Sequence, residues 1–365
     1  MQNSIIALGL MSGTSLDGID ASILESDGEQ NIKIIDELYL NYPKKFRNKL
    51  ESYVQKIDLK NDILKFQKEY EEIQRELTNF HIKISSEIIE KSNKQIELVG
   101  FHGQTILHKP NKGYSIQIGD PYLLSQALRR KVIFNFRKND ILNGGQGAPL
   151  APIYHFNLFK SLKLSSPCIF LNIGGISNMT FCNEDNYFAK DIGPGNVLID
   201  EYLKKTKKLN YDKDGYIASM GKVDYNIINS FIEHEIYNMN NKHSFDRKEF
   251  DYNFVRGLDF ENAVSTLTYF TAKIISNFID YNFKEKVKII LCGGGRKNLT
   301  LINFLKQILD REITDIDNFG INGDYVESQA FAYLAIRSYL KKNISYPNTT
   351  KVKKPTSGGE LISNF

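Results

Sequence analysis

Three carboxylates, Asp17, Asp20 and Asp191, each stand at the edge of a run of small residues. The first two close the stretch Gly9-Leu10-Met11-Ser12-Gly13-Thr14-Ser15-Leu16-Asp17-Gly18-Ile19-Asp20, and the third opens Asp191-Ile192-Gly193-Pro194-Gly195-Asn196. Glycine permits tight-turn backbone angles and lets a ligand approach the main chain. Successive backbone N–H groups in such a turn form a concavity suited to phosphate. Gly13, Thr14, Ser15, Leu16, Asp17, Gly18, Ile19 and Asp20 therefore read as a phosphate-binding turn, with ordinary β-turn chemistry as the alternative. Two more glycine clusters follow apolar runs: Gly174-Gly175-Ile176-Ser177-Asn178 and Gly293-Gly294-Gly295. Turns on two lobes could close on one polyphosphate from both sides. The third cluster lies where open α/β sheets bind ligands, beyond the carboxyl ends of strands.

Phosphoryl transfer also needs a metal and a group that orients the nucleophile. Asp17 could hold Mg2+ through water, because Mg2+ keeps much of its hydration. Asp191 either presents a pinned carboxylate to a cleft or caps the helix that starts near Val197. Arg137 and Asp140 flank a glycine-rich loop, and loops on rigid scaffolds often carry function. Arg137 could take a substrate carboxylate bidentately or form an interdomain ion pair. His102, Gln104 and Gln117 sit at strand ends and could hydrogen-bond sugar hydroxyls. Glu327 opens a helix, where a helix-dipole role is the default. The sequence has no G-x-x-x-x-G-K-[ST] and no G-x-G-x-x-G helix opening. It also lacks the His and Cys spacing of a zinc site.

The elements that must position these groups follow from periodicity. Apolar residues alternate or run continuously through residues 5–8, 21–24 and 32–35, giving a β-meander. Residues 44–94 read as helix, with Ile73, Leu77, Ile84 and Ile88 on one face. A short strand at 96–99 ends in Gly100-Phe101-His102-Gly103-Gln104-Thr105, and another spans 114–119. Asp120-Pro121 reads as a helix start. Residues 135–149 read as a loop between lobes. The strand, small-residue turn, strand pattern then returns at 168–182, which suggests an internal duplication of architecture. A third strand at 187–190 ends at Asp191. Helices are expected at 152–160, 261–282 and 327–342, with 238–260 and the tail from Asn343 irregular.

A chain of 365 residues exceeds the roughly 250–300 at which single cores usually split. Two domains are expected: 1–134, which the tail 345–365 could join, and 135–344. The net charge of +4, spread over short lysine runs, argues against nucleic-acid binding. Cys168, Cys182 and Cys292 form no C-x-x-C pair and fit buried thiols in a reducing compartment. No basic segment precedes an apolar one at the N-terminus, and no uncharged apolar run approaches about 18 residues. A soluble cytoplasmic protein, without membrane partners, is the expectation.

Taken together and in order, six motifs resemble the 1,6-anhydro-N-acetylmuramic acid kinases. They are the Gly9–Gly18 segment, Phe101-His102-Gly103-Gln104-Thr105, and Phe136-Arg137-x-x-Asp140 with Gly144-Gly145-Gln146-Gly147-Ala148-Pro149. The other three are Asn172-Ile173-Gly174-Gly175-Ile176-Ser177-Asn178, Asp191-Ile192-Gly193-Pro194-Gly195-Asn196 and Cys292-Gly293-Gly294-Gly295. That family belongs to the actin/heat-shock-70/hexokinase superfamily. The resemblance implies two duplicated α/β lobes around an ATP cleft and hydrolytic opening of the anhydro ring with phosphorylation of O6. It implies ATP and Mg2+ as cofactors, a sugar as substrate, and a homodimer. It makes Asp191 the catalytic base and residues 13–20 the nucleotide-phosphate turn. It sets Arg137, Asp140 and Glu327 at the sugar. Another sugar kinase of the superfamily, or an inactive ATP-binding paralogue, is the alternative. One departure stands out: Asn135 occupies a position where the family typically has Asp.

Overall fold

The computed structural model describes residues 4–13, 15–164, 167–240 and 250–365, with only the backbone of 233–240. Thr14 and much of the stretch expected to be irregular at 238–260 lie outside the described residues. The chain forms two compact units. The first holds Met1–Lys163 and Tyr325–Phe365, the second Leu164–Asp324. The expected boundary at 134/135 falls inside the first unit.

In the first unit, β1 (Ile5–Ser12), β2 (Gly18–Ser26) and β3 (Ile32–Asn41) form an antiparallel meander. The region expected as one long helix is three: α1 (Lys44–Lys56), α2 (Lys60–Lys65) and α3 (Gln67–Ser92). The Asp62 carboxylate accepts from the N–H groups of Asp58 and Leu59, which restarts the helix there. Ile73, Leu77, Ile84 and Ile88 of α3 pack with Leu8, Leu10, Ile19 and Ile23 of the sheet in one core. Strand β4 (Leu98–Lys109) runs far beyond the expected strand at 96–99, because β5 (Tyr114–Ile118) folds back onto its second half. His102 and Gln104 therefore lie inside a strand rather than at its end. After α4 (Pro121–Leu128) and β6 (Lys131–Phe134), the expected interlobe loop contains α5 (Lys138–Leu142) and stays within the first unit. Helix α6 (Pro152–Ser161) follows.

The second unit repeats the plan. β7 (Cys168–Ile173), β8 (Ile176–Cys182) and β9 (Tyr187–Pro194) form a meander, followed by α7 (Val197–Lys207), α8 (Tyr216–Met220), α9 (Tyr225–Asn240) and α10 (Phe260–Asn282). Then come β10 (Lys288–Cys292), α11 (Leu299–Ile308) and β11 (Ile313–Asp315). Helices α10 and α11 cover Ile169, Leu171, Ile289 and Leu291 of the sheet.

The strand orders agree. The first sheet contains β3-β2-β1-β4-β6 and the second reads β9-β8-β7-β10-β11. In each, the first two strand pairs are antiparallel and the next two parallel. The duplication expected from the repeated turn is thus a duplication of topology.

The chain then returns to the first unit through α12 (Val326–Tyr339), β12 (Asn343–Ser345), α13 (Pro347–Thr350), β13 (Thr356–Ser357) and β14 (Glu360–Ile362). The tail is therefore not irregular: β14 pairs antiparallel with β6, and β12 pairs with β13. Helix α12 lies on β1, β2 and β4. Gly9 and Gly100 are partners in the parallel β1–β4 register. A Cβ on Gly9 would stand 2.0 Å from the Ser328 carbonyl oxygen, and one on Gly100 2.3 Å from that of Phe331. Both obstacles are backbone, so neither can swing aside. Gly9→Ala and Gly100→Ala should each cost about 3 kcal/mol or more, the upper range for overpacking. Urea unfolding would show it, and an unchanged midpoint in both would contradict this close approach.

Candidate active site

The β1–β2 connection carries the first glycine-bearing turn. Leu16 adopts a left-handed conformation (φ 56°), and its N–H donates to the Gly13 carbonyl at 3.2 Å. Ser15, exposed at the tip, donates to Asp17 Oδ1 at 2.5 Å. The Tyr39 phenol also bonds Asp17. Burial and the Asp17 and Asp20 charges raise its pKa well above the usual phenol value. Ser12 at the base shares hydrogen bonds with Tyr42 Oη and His81 Nε2, both at 3.0 Å. The His81 Nδ1–H donates to the Leu77 carbonyl at 2.9 Å, and burial pushes the imidazole down to about 4. The turn thus rests on a neutral, buried polar base.

Gln104, fully buried, ties β4 to this turn: its Nε2 donates to the Gly13 carbonyl at 3.0 Å, while its Oε1 has no partner. His102 is engaged as well. Its Nδ1 lies 2.7 Å from the Gly103 carbonyl, so that nitrogen carries the proton and Nε2 is an acceptor. Arg137 supplies the donors, from Nε at 3.2 Å and Nη2 at 3.0 Å, and its Nη1 donates to the Gly147 carbonyl at 2.8 Å. Burial and the guanidinium charge hold His102 well below the usual imidazole range. Desolvation lowers Arg137 to about 10, with Glu327 and Asp140 opposing, so it stays a cation at neutral pH.

Asp140 is 1% exposed. It accepts from the Gly147 N–H at 2.6 Å and the Thr350 hydroxyl at 2.5 Å. His102, Gln104 and Asp140 are therefore all buried, rather than at the strand ends and loop where each was expected, and Gln104 keeps an acceptor open. Gln117 is half-buried and donates to the hydroxyls of Thr105 and Ser115. Glu327 sits in the first turn of α12, as expected. Solvent reaches it, yet surrounding protein strips enough hydration to raise its carboxyl, with Arg137 opposing.

In the second unit the Gly174-Gly175 turn links β7 to β8. Its carbonyls are held by the opening of α7: the N–H groups of Gly195 and Val197 donate to Gly175, and that of Asn196 donates to Gly174. Asp191 lies within β9, paired in register with Asn178. The helix cap position belongs to Asn196, so Asp191 does not cap α7. At the end of β10, added Cβ atoms on Gly293 and Gly295 would meet Asn172 and Ile173, whereas one on Gly294 meets nothing within 4 Å. Two glycines there serve packing, and the middle one leaves its face open.

Sequence reasoning missed Arg296. Its buried guanidinium donates to the Gly293 carbonyl at 3.2 Å, to Asp324 at 2.5 Å and to Asp317 at 3.1 Å, with Asp315 at 3.3 Å. Burial opposes its charge, but the acids outweigh it and raise its pKa. The sequence also hid Thr350, since nothing local links it to Asp140. The departure at Asn135 is accounted for structurally. Asn135 has φ 54° and donates to Glu360 Oε2 at 3.0 Å, while Lys138 bonds the other oxygen at 2.7 Å. An aspartate there would face Glu360 as a like charge.

The duplicated strand order, with a glycine-bearing turn in each unit, defines the class, a two-unit α/β protein built on one repeated sheet topology. A family model described as anhydro-N-acetylmuramic acid kinase matches residues 5–363, and the chain belongs to that family. It is 46% identical to the anhydro-N-acetylmuramic acid kinase of Pelagibacter ubique, over 100% of both chains. It is 36% identical to that of Zymomonas mobilis, over 98% of this chain and 99% of the other. Among solved structures, the ADPNP-bound activator of 2-hydroxyisocaproyl-CoA dehydratase from Clostridium difficile aligns over 93% of this chain and 100% of its own. It does so at 13% identity and a TM-score of 0.46.

Asn135→Asp should lower stability by about 1 kcal/mol, the scale of a partly exposed charge contact. The loss should shrink in high salt and vanish on a Glu360→Gln background. Urea titrations of the four proteins in the double-mutant cycle measure it, and an equal loss on both backgrounds would contradict the pairing.

Proposed function

We propose that this chain is an ATP-dependent kinase that opens the 1,6-anhydro ring of anhydro-N-acetylmuramic acid and phosphorylates O6. The products are N-acetylmuramic acid 6-phosphate and ADP, a step in cell wall recycling and amino-sugar catabolism. End-to-end kinship with the anhydro-N-acetylmuramic acid kinases carries this reading.

The chemistry needs one base. Water attacks the anomeric carbon as the bond from that carbon to O6 breaks. The carbon has oxocarbenium character, as in glycoside hydrolysis, so an ordinary carboxylate suffices to take a proton from the water. The water oxygen and its second proton become the anomeric hydroxyl. O6 needs no acid, because it forms its new bond to the γ-phosphorus as that phosphorus releases ADP. Asp191 is the base in this scheme. Its position inside a strand, rather than at a helix cap, supports that role.

The phosphates are assigned to residues 13–20 with Gly174, Gly175 and Asn178, and adenosine to Gly293, Gly294 and Gly295. Arg137, Glu327 and Gln117 are assigned to the sugar directly, with His102, Gln104 and Asp140 supporting them. A guanidinium has five N–H donors. His102 and Gly147 engage three on Arg137, which leaves two for a substrate carboxylate. Mg2+, when bound, neutralises charge on the phosphate oxygens. Asp17 suits a hydrated ion of this kind. Among the described residues no group of three or more His, Cys, Asp or Glu could cage a metal, and Mg2+ on phosphates needs only one or two carboxylates. The same reading expects a cytoplasmic homodimer. Among the described residues no helix is long and apolar enough to cross a membrane.

Incubation with Mg·ATP and anhydro-N-acetylmuramic acid should yield the 6-phosphate by mass spectrometry. Phosphorylation of glucose or N-acetylmuramic acid in its place would overturn the assignment. Asp191→Asn should bind ATP normally and lose turnover by more than about two orders of magnitude, the scale of a positioned base. Retained turnover would remove Asp191 from the chemistry. Gly294→Ala should leave the melting temperature unchanged and raise the KM for ATP several-fold; an unchanged KM would move adenosine away from this turn.

A further inference from the structure

The C-terminal segment reaches the site by a route that neither its sequence nor the family match describes. Thr350 ends α13 and is fully buried. Its hydroxyl donates to Asp140 Oδ1, and its carbonyl accepts from the Gln146 N–H at 2.7 Å. The other Asp140 oxygen accepts from the Gly147 N–H, and the Gly147 carbonyl accepts from Arg137 Nη1. Both oxygens of a buried carboxylate are thus given to neutral donors. A carboxylate used in this way fixes a loop, besides lending its charge to Arg137.

We propose that Thr350 is a positioning residue of the sugar site, holding the Arg137 guanidinium in place through Asp140 and Gly147. The inference rests on the sugar-binding role given above to Arg137. Its geometry does not: each link is a hydrogen bond of 2.5–2.8 Å between buried or half-buried groups. His102 fixes the guanidinium on its other edge through Nε and Nη2. Removing the Thr350 hydroxyl leaves Asp140 free to turn and Gly147 free to shift. A misplacement of about 1 Å at a positioning group can cost two orders of magnitude in rate, so a fraction of that displacement is measurable. Among the described residues, none of these hydrogen bonds goes to a residue assigned to ATP.

The test compares Thr350→Val, which keeps shape and loses the hydroxyl, with Thr350→Ser, which keeps the hydroxyl. Thr350→Val should raise the KM for anhydro-N-acetylmuramic acid about tenfold and leave the KM for ATP within about twofold. Thr350→Ser should restore the wild-type value, which a loss of packing alone would not predict. An unchanged sugar KM in Thr350→Val, beside a raised one in Arg137→Ala, would overturn the positioning role and leave the sugar site standing. An unchanged sugar KM in Arg137→Ala would overturn the role of Arg137 itself. Should Thr350→Val fail to fold, Asp140→Asn carries the same comparison. Its amide keeps one acceptor where two are needed, so the sugar KM should again rise with the ATP KM unmoved, and an unmoved sugar KM would again overturn the proposal.

Discussion

The backbone of α12 lies directly on two glycines paired in register, Gly9 on β1 and Gly100 on β4, and the rest of the first unit depends on that approach. A helix normally rides on side chains, at a distance those side chains set. Here the carbonyls of Ser328 and Phe331 occupy the space where Cβ atoms would be. The consequence reaches the site along three elements. Strand β1 runs on into the glycine turn, β4 runs on into His102 and Gln104, and the first turn of α12 carries Glu327. Phe331, one turn further, packs at a tilt against His102 and edge-on against Phe136. This close approach therefore sets the depth of the glycine turn, the histidine and the glutamate together.

Beside that contact, charge is arranged so that the Arg137 cation meets a neutral imidazole. His102 and His81 are both kept neutral by burial, and both use Nδ1–H on a backbone carbonyl so that Nε2 can accept. A protonated His102 would lose its acceptor and set a second positive charge against the guanidinium. The opposite device operates at Gly293 in the second unit. There a buried cation, Arg296, is ringed by Asp315, Asp317 and Asp324, and its hydrogen bond to a carbonyl fixes a turn that has no side chains of its own. A glycine turn gains openness by lacking side chains and loses stiffness for the same reason. Arg296 restores the stiffness from outside.

What could be read in the sequence was what is local. The helical period of Ile73, Leu77, Ile84 and Ile88 reappears as the buried face of α3, and 261–282 reappears as α10. The small-residue turns at 13–17 and 174–175 lie where apolar runs break. What could not be read depends on partners far away in sequence. The length of β4 is set by β5, the order in the tail by β6, and the role of Asp140 by Thr350, 210 residues on. The same holds for Arg296, whose acids follow at intervals that match no motif. Polar residues in a glycine-rich context look like ligands whether they face a substrate or each other. Only burial separates Asp140 and Gln104 from Glu327.

The duplication also bears on why one unit carries an acid and the other a phenol at one matched position of the third strand. In the second unit Asn172 and Asn178 pair across β7 and β8, and Asn178 pairs onward with Asp191 on β9. In the first unit Met11 pairs with Asp20, and Asp20 pairs onward with Tyr39 on β3. Met11 and Asn172 are each the second-last residue of their strand, and Asp20 and Asn178 are each the third of theirs. The topological counterpart of Asp191 is therefore Tyr39, and that of Asp20 is Asn178. One scaffold position has diverged to a carboxylate in one copy and to a phenol that bonds Asp17 in the other. At the neighbouring position the carboxylate is on the opposite copy. In the roles proposed above, phosphate binding needs a turn twice, whereas proton transfer needs a base once. Two copies free to exchange acid for neutral residue at matched positions provide both without a change of fold.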